Sequence, residues 1–172
     1  MADRSVTLRG TAFPLDGPEL KAGDKAPDFT LQQSTANGLE DLNLAHFAGK
    51  TLLVSVVPSL DTPVCATQTK KFNEKAAALP DSVAVLTVST DLPFAQGRFC
   101  GAEKIDKLKC ASDHRDTNFG AAYGVLITDG PMKRILARSI FVVSPEGTVK
   151  YVEYVPEIAS EPNYEAALAA VA

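Results

Sequence analysis

A chain of 172 residues with three cysteines and two histidines is long enough to bury a sizeable core and suits one domain over residues 1–172. A net charge of −4 without a basic stripe argues against nucleic acid, and no apolar run approaches the length of a membrane span. The opening Met1-Ala2-Asp3-Arg4-Ser5 lacks the apolar core of a secretory signal, so the expected setting is cytoplasmic.

Val6-Thr7-Leu8-Arg9 and Ala12-Phe13-Pro14-Leu15 flank Gly10 and read as an N-terminal hairpin, followed by turn residues at 16–19. Residues 23–31 form a loop entering a strand, Asn37-Gly38 marks a turn, and Leu42-Asn43-Leu44 suggests a short strand. The β-branched, apolar run 51–57 reads as a buried strand, which Pro58 ends because it cannot donate to a ladder. A helix follows: Asp61 or Thr62 can cap it, Pro63 suits its first position, and it extends to about Leu79. Leu79-Pro80-Asp81 is a stop, and 83–89 is a second buried strand, which predicts a parallel pair with a right-handed crossover. A helix from Phe94 to about Ile105, a short strand at 108–112 and a short helix at 117–123 come next, the last closed by Gly124. A strand at 135–143, a turn at 145–147, an antiparallel partner at 149–155 and a helix from 161 onward complete the chain. The sum is an α/β, thioredoxin-like sandwich: a central mixed sheet flanked by helices, with an N-terminal β-hairpin.

In this layout Cys65 falls in the first turn of a helix, where the dipole and unpaired N–H groups favour the reactive thiolate. A cysteine in an apolar chain is otherwise a small buried hydrophobe, and that bland reading stands beside the reactive one. Cys100 lies on a predicted helix and Cys110 in a short apolar strand, where it reads as a buried structural residue. No C-x-x-C pair exists, which disfavours a disulfide oxidoreductase. His46 and His114 are far from any cysteine pair, so no metal site is expected.

The spacing Pro58-x-x-x-Thr62-x-x-Cys65, after an apolar strand and at a helix start, resembles the active-site pattern of peroxiredoxins. The block 89–101, Ser-Thr-Asp-Leu-Pro-Phe-Ala-Gln-Gly-Arg-Phe-Cys-Gly, narrows the resemblance to bacterial thiol peroxidases of the atypical two-cysteine peroxiredoxin family. Leu136-Ala137-Arg138-Ser139 and the tail 161–168 match as well, so the likeness spans nearly the whole chain. It implies that Cys65 is the peroxidatic cysteine and Cys100 the resolving one, joined in an intramolecular disulfide during the cycle. It implies that Thr62 and Arg138 orient thiolate and peroxide and that Pro58 shields the pocket. It further implies hydroperoxide substrates, thioredoxin as reductant, a homodimer and no cofactor. Pro63, where relatives often carry glycine, is a departure that a helix start tolerates, and Cys110 matches no family role.

The chemistry asks for these residue types. Bringing a cysteine pKa from about 8.5 to about 6 takes roughly 3.4 kcal/mol. A helix N-terminus supplies about 0.3–1 kcal/mol, or ~2 when partly buried, so a cation is required. Arg138 is the candidate, because its charge is permanent and its fork can bond thiolate and peroxide together. On a strand, Arg138 would share a face with Leu136 and Ile140, which argues against a merely solvated ion pair. A lower pKa also weakens the nucleophile, so orientation and charge stabilisation on the breaking O–O bond must supply the rest. The Thr62 hydroxyl can accept and donate there, although a plain N-cap explains it too. Pro58 is equally a strand terminator. Leu60, Phe94 and Phe99 are candidates for the substrate pocket, and Lys70 and Lys71 for a solvated face.

Two other readings stand beside the enzyme, the first of them equally compatible with the sequence. A redox sensor needs the same reactive Cys65 but passes oxidation to a partner protein. A non-catalytic binding module leaves the joint presence of Thr62, Cys65 and Arg138 without a purpose. Cys100 lies 35 positions beyond Cys65, and closing such a loop corresponds to about 4 kcal/mol of unfolded-state constraint. The two Cα atoms must come within about 7 Å, yet both cysteines are expected on helices. Local unwinding near Cys65, Cys100 or both is therefore expected during the cycle. Amide exchange around these residues should be faster in one redox state, and equal protection in both would contradict the unwinding.

Overall fold

The computed structural model describes residues 4–172; the N-terminal Met1-Ala2-Asp3, part of the segment read as lacking a signal, lies outside them. The N-terminal hairpin forms as expected. Strands β1 (Ser5–Leu8) and β2 (Thr11–Asp16) pair antiparallel with Leu8 opposite Thr11. The two turn residues Arg9 and Gly10 both have positive φ, 50° and 86°, the conformation whose twist suits a two-residue hairpin turn.

A second hairpin joins β3 (Thr30–Thr35) to β4 (Gly38–Asn43), and residues Leu44–Phe47 form a 3-10 turn. The strand expected at Leu42–Leu44 is thus longer and earlier. Its first four residues are exposed at the sheet edge and include Glu40 and Asp41, so no apolar alternation reveals them.

The centre of the molecule is β5 (Thr51–Val56), buried at every position, followed by helix α1 (Pro63–Ala76) and β6 (Val83–Ser89). β5 and β6 run parallel, as the strand–helix–strand pattern predicts. Then come α2 (Pro93–Ala102), β7 (Lys109–Ser112), α3 (Asn118–Ala122), β8 (Leu126–Ile127), β9 (Ser139–Val143), β10 (Val149–Tyr154) and α4 (Tyr164–Ala170). The main sheet has the order β10-β9-β5-β6-β7-β3-β4; a small sheet, β1-β2-β8, stands apart from it. β8 escapes sequence reading because a two-residue strand carries no periodicity. Helices α1 and α2 end a few residues earlier than expected, at Ala76 and Ala102.

The main sheet is covered on both faces. On one, Leu53, Ile140 and Val142 pack with Phe72 of α1 and Ala167 of α4, and the Phe72 ring lies 5.2 Å from that of Tyr164. α2 leans beside α1 through Phe99, which joins Val57, Leu60 and Cys65 in a smaller apolar cluster. On the opposite face Val54, Val56, Phe141 and Val143 pack with Phe119 and Tyr123, whose rings stack at 4.2 Å, and with Val6 and Phe13 of the hairpin. Gly124 closes α3 at φ +68°, where a Cβ would collide with the Pro18 carbonyl.

Asp113 anchors α3. Its Oδ1 accepts from the Phe119 N–H at 3.1 Å and its Oδ2 from the Gly120 N–H at 2.8 Å, on a side chain almost without exposure. Burial outweighs these bonds and raises its pKa from 3.8 to about 6. A carboxyl raised on folding stabilises the fold fully below its unfolded pKa and loses that contribution as pH rises through about 6. Full ionisation forfeits roughly 3 kcal/mol. Urea midpoints of wild type should therefore fall relative to Asp113→Asn between pH 4 and pH 7, and parallel pH profiles for the two proteins would contradict this.

Candidate active site

Buried β5 delivers the chain to Val57 and Pro58, both buried, and the turn 59–62 then reverses it into α1. Thr62 is the N-cap by backbone angles and Pro63 the first helical residue, which puts Cys65 third in the helix among N–H groups with no partner inside it. The Thr62 hydroxyl does not cap the helix. It donates to the Ser59 carbonyl at 2.8 Å and is exposed, so the plain N-cap reading fails for the side chain.

Cys65 is fully buried, and the Arg138 guanidinium lies over it. Arg138 Nη2 donates to Cys65 Sγ at 3.4 Å and to the Ile158 carbonyl at 2.7 Å. Nε donates to the same carbonyl at 3.0 Å, and Nη1 to Gln68 Oε1 at 2.7 Å. Gln68 is itself held by its Nε2, which donates to Ser55 Oγ at 2.7 Å. Arg138 is 2% exposed and makes no ion pair with a carboxylate among the described residues. A buried charge with only neutral acceptors is costly, and an anion at Cys65 Sγ offsets that cost. The helix start and the guanidinium thus act on one sulfur.

Arg138 reaches this position differently from expectation. β9 begins only at Ser139, and Leu136 makes just an isolated bridge to Leu126. Ile140 packs on the α1 face while Leu136 packs with Phe119 on the other, so the three residues do not share a face. The irregular entry to the strand breaks the two-residue period that the expectation assumed.

An open, largely apolar pocket of about 470 Å³ leads to the site, lined by Leu8, Pro58, Thr62, Met132, Arg138 and Ile158 among others. The candidates Leu60 and Phe99 line a separate hollow of about 310 Å³ between the start of α1 and α2. Phe94 is 65% exposed and lines neither. The walls of the Pro58–Thr62–Arg138 pocket therefore come from distant segments, not from these three residues. Lys70 and Lys71 lie on the surface, paired with Glu103 and Glu161.

Cys65, Cys100 and Cys110 are free thiols. Cys100 packs against the apolar cluster that encloses Cys65, but its Sγ lies 3.2 Å from Cys110 Sγ. Cys110 is partly buried against the same cluster, on the short strand where the sequence places it. Asp91 braces the two helix starts: its carboxylate accepts from Ser59 Oγ at 2.7 Å, the Leu60 N–H at 2.9 Å and Ser89 Oγ at 2.7 Å. Sequence reading missed Asp91, Gln68 and the Ile158 carbonyl. Gln68 carried a faint signal, being one helical turn beyond Cys65 on the same face; the other two carried none.

Comparison with known proteins agrees with this geometry. The family model described as Redoxin matches residues 21–168. The chain is 52% identical over 160 residues to a thiol peroxidase of Bacillus subtilis, covering 93% of this chain and 92% of the other. It is also 52% identical over 166 residues to a thiol peroxidase of Mycobacterium bovis, covering 96% and 97%. A peroxiredoxin-like protein of Aquifex aeolicus superposes with a TM-score of 0.89 at 45% identity, covering 97% of this chain and 95% of that one. The chain belongs to the redoxin family, and within it stands with the peroxiredoxin-type thiol peroxidases.

A hydrogen bond to a charged group contributes about 1.5–3 kcal/mol. Arg138→Met should therefore slow the reaction of Cys65 with hydrogen peroxide by roughly 10- to 150-fold, and Gln68→Leu by less. Stopped-flow rates on variants with wild-type circular dichroism measure this; an unchanged rate in Arg138→Met would contradict the assigned contact.

Proposed function

We propose that this thiol-dependent peroxidase uses Cys65 as its nucleophile, Arg138 and Thr62 to orient the peroxide, and Cys100 to resolve the oxidised product. The observation that carries the reading is the buried Arg138 guanidinium, with no ion-paired carboxylate among the described residues and 3.4 Å from Cys65 Sγ. The Cys65 thiolate attacks one peroxide oxygen in line with the O–O bond. The S–O bond forms, the O–O bond breaks, and the departing oxygen leaves as water or an alcohol once protonated. Arg138 faces both sulfur and pocket, so its charge can follow the negative charge as it moves from sulfur to the leaving oxygen. Pro58, buried at the pocket base, restricts water there.

The Cys100 thiolate then attacks the sulfenic sulfur, and hydroxide leaves as water after protonation. Because Cys65 is fully buried, this step requires the first turn of α1, the end of α2, or both, to open. The apolar walls Leu8, Met132 and Ile158 suit the tail of an alkyl hydroperoxide as well as hydrogen peroxide. Family membership supports a thioredoxin-type dithiol reductant; thioredoxin itself, a homodimer and a cytoplasmic setting are the particular forms we propose. Among the described residues, no helix is long and apolar enough to cross a membrane.

The test is peroxide consumption coupled to thioredoxin, thioredoxin reductase and NADPH. Cys65→Ser should abolish turnover, and Cys100→Ser should abolish thioredoxin-linked turnover while leaving the first oxidation of Cys65 intact. Full activity in Cys65→Ser would overturn the assignment.

A further inference from the structure

Cys110 has no part in the cycle above, yet its Sγ lies 3.2 Å from that of Cys100. The contact joins two ordered elements, α2 and β7, which Gln96 ties together by donating from Nε2 to the Ala111 carbonyl at 3.0 Å. Both cysteines are partly buried residues that line one surface hollow of about 210 Å³ with Gln33, Ser34 and Lys109. The resolving thiol is thus already paired with a third sulfur on the side open to solvent.

We propose that Cys110 is a second resolving thiol, which takes over the disulfide from Cys65 and holds it at the surface as Cys100–Cys110. This rests on the peroxidase reading, since Cys100 must first be joined to Cys65. Cys110 releases its proton to solvent through the hollow and attacks Cys100 Sγ. The Cys110–Cys100 bond forms, the Cys100–Cys65 bond breaks, and Cys65 leaves as a thiolate. The exchange conserves electrons and needs no further oxidant. Attack falls on Cys100, the sulfur that Cys110 already faces at 3.2 Å, and the Cys65 sulfur departs beside the Arg138 guanidinium.

The electrostatics impose an order. Contact with Cys100 and then burial push the Cys110 thiol well above its usual range, whereas the same contact lowers Cys100. Cys100 is therefore the more readily ionised of the two thiols and the one that meets the sulfenic acid first. Once Cys100 is in a disulfide its charge no longer opposes ionisation of Cys110, and the second step becomes accessible. The outcome is a surface disulfide open to a dithiol reductant and a Cys65 ready for a second peroxide.

Reduced protein treated with hydrogen peroxide in the absence of reductant tests this. Trypsin separates the cysteines into fragments 51–70, 99–104 and 110–115. Wild type should yield 99–104 linked to 110–115 and consume about two peroxides per chain in the rapid phase. Cys110→Ser should yield 51–70 linked to 99–104 and consume about one, and Cys65→Ser should form no rapid linkage. In wild type, the 51–70 to 99–104 linkage alone with one peroxide consumed would overturn the relay but leave the peroxidase cycle standing. Rapid 99–104 to 110–115 linkage in Cys65→Ser would also overturn it, since the oxidation would then bypass Cys65. Absence of any rapid peroxide consumption by wild type would overturn both.

Discussion

A buried guanidinium with no carboxylate partner among the described residues sets the terms for the whole site. Arg138 spends its donors on the Ile158 carbonyl, Gln68 and Cys65 Sγ, and only the last can become an anion. Each support is in turn fixed by the fold. Ile158 is held by β1, where its N–H donates to the Thr7 carbonyl at 2.8 Å, and the Thr7 N–H bonds to Pro156 at 2.8 Å. Gln68 is locked to Ser55 in the central strand. The N-terminal hairpin, which looks peripheral in the chain order, therefore helps aim the cation and also supplies Leu8 to the pocket wall. A hairpin displaced by a small amount would move Ile158 and with it the guanidinium that lies against Cys65 Sγ.

The central elements were legible in the sequence because their apolar periods are strong. The runs at 51–57 and 83–89 are buried on both faces and could hardly be other than inner parallel strands. Proline at a helix start placed Cys65 correctly in the first turn of α1. Where packing is one-sided or the chain irregular, the reading failed. β4 is a charged edge strand, β8 has two residues, and the entry to β9 breaks its period just where Arg138 turns inward. The pocket walls were also out of reach, since Leu8, Met132 and Ile158 meet only through the tertiary fold. The pocket candidates Leu60 and Phe99 line the neighbouring hollow instead.

Asp91 shows how the two redox helices are kept in register. One carboxylate binds the turn before α1 through Ser59 and Leu60 and the end of β6 through Ser89, immediately ahead of α2. The exposed pairs Arg98–Asp61 and Lys70–Glu103 cross the same gap but contribute little, being solvated on both sides. In the proposed cycle, a firm anchor at the helix starts and weak clasps elsewhere would let Cys100 move toward Cys65 without loss of the surrounding core.

The central claim is that Cys65 is the sulfur that peroxide oxidises. Trapping with dimedone after one equivalent of hydrogen peroxide, in the Cys100→Ser/Cys110→Ser protein, tests it most directly. With both other thiols removed, the sulfenic acid has no intramolecular partner and should appear as a dimedone adduct on the tryptic fragment 51–70, in proportion to the peroxide consumed. Peroxide consumed without any Cys65 adduct or higher Cys65 oxide would contradict the account.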